Sequence, residues 1–327
     1  MSRMVRIVFC GLLVAGSFAS SESVQADPAP AKTGKSARRG PPPAGDMSTV
    51  SPDKSKEGAP SRPNRTRPTG KTTAPGPANF TSRHFLIHTD LPPKDAQELL
   101  KRMETMLTLV SKYFGKPPVG IIECYIVKSL DNWPAEAVQP GGVLEPGLQS
   151  LMTRAGVTQT RVRRSGANFA AKATVYAVVD HGTPLHEAVH AYCGQAFGRV
   201  GPVWYSEGMA EMGHYWQDND FSVNALDIVI NYLRNAEPKP LEEIVSQDQQ
   251  TGDNWRNYAW RWALCHLLSN NNNYSQRFRP LGMGLLADQQ VSFEQTYGNM
   301  QREIEFEYRL FLKYLQKGYR SDLNSWD

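Results

Sequence analysis

Apolar positions recur along this chain in two different periods, and the switch between them divides it. Residues 83–89 alternate apolar side chains, which predicts a strand. In residues 95–114, Leu99, Leu100, Met103, Met106, Leu107 and Val110 fall at three- and four-residue spacing, which predicts a helix stopped by Gly115 and Pro117-Pro118. Residues 121–127 read as a second strand. A third runs over 173–180, where Val175, Ala177 and Val179 alternate with Thr174, Tyr176 and Val178. From Pro184 onward the pattern is almost entirely helical, with helices expected over 184 to about 197, 207–216, 224–235, 255–268, 274–286 and 299–315. The helix 224–235 carries Leu226, Ile228, Val229, Ile230 and Leu233 and is broken by Pro238 and Pro240. Strands first and helices afterwards argue for an α+β fold. Residues 129–170 are rich in Gly, Pro and Arg and are expected to be mainly a solvated loop; Arg161, Arg163 and Arg164 in it could face an acidic substrate.

The first 78 residues do not belong to that pattern. Residues 1–26 have a positive start at Arg3 and Arg6, an apolar run from Ile7 to Ala15, and a small-residue site at Val24-Gln25-Ala26, the form of a secretory signal. The run is too short to span a bilayer. This places the mature chain outside the cytoplasm, secreted or in the periplasm and cell envelope, with no transmembrane segment. Residues 27–78 hold eleven of the 23 prolines and no Phe, Trp or Tyr, with Met47 and Val50 as the only large apolar residues. Such a segment buries too little surface to offset its ordering entropy and is expected to be a disordered linker. It carries a net charge of +6, which leaves −3 for residues 79–327. The basic balance of the chain is thus a property of its linker. It permits weak contact with anionic envelope polymers, and nothing points to nucleic-acid recognition. Residues 79–327 are long enough for one sizeable core or two closely packed lobes.

The chemistry concentrates at His186-Glu187-Ala188-Val189-His190. Residues four apart on a helix stand on one face, so His186 and His190 can aim imidazole nitrogens at one metal ion. Glu187 sits one step round, where it can take a proton from a water polarised by that metal. Zinc lowers the pKa of a bound water to about 7, within reach of a carboxylate base. A catalytic zinc takes three protein ligands, and sixteen residues after His190 comes Glu207, within Trp204-Tyr205-Ser206-Glu207-Gly208-Met209-Ala210-Glu211. Gly194, Gly198, Gly201 and Pro202 between them let one helix end and another begin. Glu211, four residues past Glu207, can accept the outer N–H of a ligand histidine. Thr183 is the expected N-cap of the metal helix, with Pro184 at its first position.

The two histidines with a later glutamate resemble the gluzincin metallopeptidases. The segment from Trp204 to Glu211 is similar to the W-x-x-E-G-x-A-E form of peptidase-MA-like secreted bacterial proteins of unknown function. The resemblance is strongest over residues 173–216 and weaker over about 85–315. It implies a zincin-like fold: a small N-terminal mixed sheet whose edge strand, residues 173–180, lies beside the active-site helix and pairs with an extended peptide substrate. It also implies one Zn2+ per chain on His186, His190 and Glu207, Glu187 as general base, and hydrolysis of a peptide or protein substrate. Tyr258 is similar to the tyrosine that stabilises the oxyanion in M1-type gluzincins, although the lysine and glycine of that motif are missing and Arg261 and Trp262 follow it. The alternative is a zinc-stabilised binding module without turnover.

Removal of the signal leaves Cys124, Cys193 and Cys265, an odd number that allows at most one internal disulfide. Cys193, three residues past His190, is a rival fourth ligand that would close the metal site, though a small buried residue is the favoured expectation. His214, two turns past Glu207, is expected at the surface. Trp204, Tyr205, Tyr215 and Trp216 are expected to pack around the second helix.

Overall fold

The computed structural model describes residues 6–12, 77–133, 146–165, 168–180, 182–218, 220–246 and 255–323. The expected linker, apart from its last two residues, and the expected cleavage site lie outside these residues, as do His181 and residues 247–254.

Six strands form one mixed sheet: β1 (Arg6–Leu12), β2 (Ala78–Thr81), β3 (Phe85–Thr89), β4 (Ile122–Val127), β5 (Gly156–Ser165) and β6 (Asn168–Val178), in the order β1-β5-β6-β4-β3-β2. β3, β4 and β6 run parallel, whereas β2 is antiparallel to β3 and β5 is antiparallel to β6. β1 lies antiparallel along the outer side of β5, from Arg6 opposite Val162 to Leu12 opposite Gly156. The helices are α1 (Pro93–Phe114), α2 (Pro146–Ser150), α3 (Thr183–Phe197), α4 (Val203–Tyr215), α5 (Asp227–Asn235), α6 (Leu241–Val245), α7 (Trp255–Asn270), α8 (Ser275–Leu286), α9 (Phe293–Tyr297) and α10 (Gln301–Tyr314). The fold is α+β, and among the described residues every strand precedes α3 in the chain. Among the described residues no helix is long and apolar enough to cross a membrane.

Strand alternation decides what each face of the sheet does. Phe85, Ile87, Ile122, Cys124, Ile126, Ala173, Val175 and Ala177 turn to one face and join the main core with α1 and α3. α1 buries Ala96, Leu99, Leu100, Met103, Met106, Leu107, Val110 and Phe114 against that core. Full burial of one such large side chain contributes about 1.5–3 kcal/mol, so packing of this stripe holds the helix more firmly than propensity does. The opposite face carries a smaller cluster of Val127, Trp133, Leu148, Leu151, Val157 and Tyr176. Every residue of α3 is buried. It has no solvent side because sheet, α1 and α4 enclose it, the condition for a helix apolar nearly all round.

Three expectations are corrected. The run 173–180 is no edge: it belongs to β6, which pairs with β4 on one side and β5 on the other. Its apolar character on both sides reflects interior burial. Part of the expected loop 129–170 is β5, ten residues long and paired with β6 throughout. Arg161 lines the face away from α3, beside Glu123, Tyr125 and Lys172, and Arg164 donates to Gly198 O at 3.3 Å, at the end of α3. Finally, Thr183 is the first residue of α3 and Gly182 the cap. Asp180 does the capping work: its carboxylate accepts from the Gly182 and Thr183 backbone N–H groups at 2.9 and 2.6 Å and from Thr183 Oγ1 at 2.6 Å. The three cysteines are all buried and free, so no disulfide joins them.

His266 on α7 gives the fold a pH dependence. Its ring stacks on Phe311 at 5.7 Å, and its Nε2 is buried without a hydrogen-bond partner among the described residues. Burial pushes its pKa down to about 4, so the native state holds it neutral. The unfolded chain binds the proton from about pH 6.5 downward. The stabilisation is therefore complete above that pH and lost as pH falls towards 4, to an extent on the order of 3 kcal/mol. His266→Gln cannot charge. Its thermal midpoint is expected to fall less than that of the wild type between pH 7.5 and 4.5, and parallel falls would show that His266 does not set the acid limb.

Candidate metal centre

The centre is built from two neighbouring helices. α3 places His186 and His190 one turn apart, and α4 brings Glu207 to them. His186 Nε2 lies 3.1 Å from both Glu207 Oε2 and His190 Nε2, and His190 Nε2 lies 3.3 Å from Glu207 Oε2. All three are buried, and together they form a group able to hold a metal ion, with one ligand atom from each within 4.8 Å of the others. The Glu-Gly step of α4 has a packing reason. A Cβ on Gly208 would stand 2.8 Å from Arg261 O on α7, so only glycine lets the two helices approach this closely.

Glu211 sets the chemistry of His186. Its Oε1 lies 2.9 Å from His186 Nδ1, and an ionised carboxylate only accepts, so Nδ1 carries the hydrogen. Nε2 of His186 faces Glu207. Burial would lower the pKa of this imidazole, but the hydrogen bonds with Glu207 and Glu211 outweigh it and hold the ring protonated, with a pKa well above the ordinary histidine range. A metal ion bound here would take the place of the proton on Nε2, 3.1 Å from Glu207 Oε2. This donor set, two imidazole nitrogens and one carboxylate with a carboxylate behind one imidazole, fits a divalent metal. Burial by itself would raise the pKa of Glu207; the imidazoles of His190 and His186 more than offset it and hold the carboxyl below its ordinary range. The same balance holds Glu211 low, through His186 and His214.

Glu187 is the exception among the three carboxylates. It is fully buried, and burial keeps its pKa raised despite His190, His186 and a hydrogen bond from Thr158. Thr158 Oγ1 lies 2.7 Å from Glu187 Oε2. The other oxygen, Oε1, is buried without a hydrogen-bond partner among the described residues, as expected of an atom whose partner is a water or a substrate.

Tyr258 on α7 comes to the centre, its ring edge-on to His186 at 5.7 Å and the Arg261 guanidinium 5.7 Å from its ring centre. His214, expected at the surface, is half-buried, with Nδ1 3.7 Å from Glu211 Oε2. Cys193 lies in the main core and is no member of the ligand group among the described residues; burial pushes its thiol up to about 12. Trp204 and Tyr205 are buried packing residues. Thr158 is the residue that the sequence did not disclose. The β-branched run Val157, Thr158, Thr160 and Val162 is the signal that identifies its strand.

Comparison with known proteins returns no match: no family model, no curated protein and no solved structure is similar enough to this chain to register.

The ligand set makes metal uptake measurable. Elemental mass spectrometry of the purified chain is expected to find about one divalent metal, lost in His186→Ala and in Glu207→Gln. Removal of the carboxylate behind His186 in Glu211→Gln should weaken metal binding about 10- to 100-fold in chelator competition. Unchanged affinity in that variant would remove Glu211 from the centre.

Proposed function

We propose that this chain is a secreted, zinc-dependent hydrolase of gluzincin type, most specifically a peptidase. The observation that carries this is the convergence of His186, His190 and Glu207 beside a buried carboxylate with one uncommitted oxygen, Glu187 Oε1. Structural metal sites need no such base, whereas hydrolysis does. Zinc bound by the three ligands would supply Lewis acidity, polarising a water and the carbonyl under attack.

The side chains supply the rest. Glu187 Oε1 takes a proton from the attacking water and returns it to the leaving amine nitrogen. A carboxyl whose pKa is raised by burial suits both halves of that cycle. Glu211 orients His186 through Nδ1. Tyr258, beside His186, is the side chain suited to donate to the developing oxyanion. The apolar packing of α3 keeps bulk water away from these groups and strengthens their interactions. The substrate is a peptide or protein outside the cytoplasm, and the basic linker adds weak attraction to anionic envelope polymers.

A second reading is a metal-stabilised binding module without turnover. It is favoured by the depth of the group, since His186, His190, Glu187 and Glu207 are each at most 4% exposed.

Glu187→Gln separates the two. For an enzyme the variant keeps its metal and loses peptide-library cleavage by about 10²- to 10⁴-fold, the range of general acid–base contributions. A variant as active as the wild type would defeat the mechanism. A metal-loaded wild type that cleaves nothing would favour the binding module.

A further inference from the structure

The base of the proposed reaction is held by a strand rather than by its own helix. Thr158 Oγ1 stands 2.7 Å from Glu187 Oε2 and 2.8 Å from Glu187 O. The single hydrogen of this hydroxyl is shared between two acceptors of the same residue, its side chain and its backbone, which ties the carboxylate to β5. Thr158 is itself 2% exposed. It sits opposite Val175 in the β5–β6 register, so it is carried by a strand paired along its whole length.

Two residues earlier, Gly156 makes the arrangement possible. A Cβ there would lie 2.8 Å from both Glu187 Cγ and Glu187 Oε1 and 2.6 Å from Thr183 Cγ2. Any larger residue at 156 would drive the carboxylate away. Gly156 and Thr158 point to the same face of β5 by strand alternation. One residue leaves room for the Glu187 side chain, and the other grips its far oxygen.

We propose that Thr158 is a positioning residue for Glu187: with Gly156, it selects the one carboxylate rotamer that commits Oε2 to the protein and leaves Oε1 to take the proton. This rests on Glu187 being the base of a metallohydrolase. It adds a requirement that neither the His-Glu-x-x-His segment nor Glu207 contains, namely a hydroxyl at position 158 on β5. A rigidly supported side chain reacts from a fixed geometry, and small misplacements of a catalytic group are costly.

The test is binding rather than turnover. The full chain is loaded with Co2+, and acetohydroxamate is titrated by visible absorption. This chelator's N–OH hydrogen-bonds a carboxylate next to the metal, so its affinity reports where that carboxylate stands. Thr158→Val, which keeps shape and loses the hydroxyl, is expected to weaken binding about tenfold at unchanged cobalt content. Thr158→Ser, which restores the hydroxyl, should stay within about threefold of the wild type. Added to Glu187→Gln, Thr158→Val should cause no further loss, because the residue acts only through Glu187.

Wild-type affinity in Thr158→Val overturns the assignment, as does an equal loss in the Glu187→Gln background, which would mark a general structural effect. Failure of the underlying reading looks different. In that case the wild type takes up no cobalt, or Glu187→Gln binds acetohydroxamate as tightly as the wild type, and the assignment falls with it. Where a cleavable peptide is in hand, Thr158→Val should lower kcat about tenfold or more with KM little changed.

Discussion

The structure depends on how a dry interior tolerates charge. Glu187 and Glu207 are buried within the core, Glu211 lies at its margin, and two imidazoles stand among them. Ionised groups taken out of water cost several kcal/mol each unless they are paired. Glu211 and Glu207 each face one ring nitrogen of His186 and together hold that imidazole protonated. A divalent cation bound by the three ligands would displace that proton, and metal uptake would then be linked to pH and to folding of the core. The fold around the centre reads as the means of keeping these groups dry and in register. α3 has no solvent face, and α4 and α7 meet at Gly208 with no Cβ between them.

That constraint also explains the division of labour among the carboxylates. Glu207 and Glu211 are held below the ordinary carboxylate range by the histidines they touch. Glu187 has a hydroxyl as its neighbour, and burial outweighs the imidazoles. In the proposed reaction three residues of one type would take three roles from their surroundings: ligand, orienter and base. Placing titratable groups in environments that push their pKa values apart is how acid–base roles are assigned.

The sequence showed the local parts of this more clearly than the long-range ones. His186, Glu187 and His190 are legible because a helix relates them by fixed geometry, and Glu207 and Glu211 because a second helix does the same. Helix ranges from Pro184 onward follow the apolar spacing closely, as with 255–268 against Trp255–Asn270. Strand pairing has no such local record. β6 reads as an edge or an interior strand equally well, because its partners lie far away in sequence. β5 stayed hidden because Arg161, Arg163 and Arg164 and the neighbouring glycines resemble a solvated loop. The buried side of the strand is written in Thr158, Thr160 and Val162, two of which are polar. Asp180 was overlooked as the cap of α3 for a related reason: it lies three residues ahead of Thr183 and works through loop geometry.

The hidden strand also bears on whether the centre catalyses or merely stabilises. A structural zinc closes its fourth position with a protein ligand. The natural residue for that here, Cys193, lies in the main core, and among the described residues the ligand group stops at three. Next to His186 in α3 stands Glu187, touched by a residue of the sheet and buried with one oxygen that has no hydrogen-bond partner among the described residues. A glutamate that served packing alone would be replaced by an apolar side chain at a gain in stability. A glutamate here, with a glycine that makes room for it and a threonine in contact with it, is what favours the proposed hydrolase over a binding module.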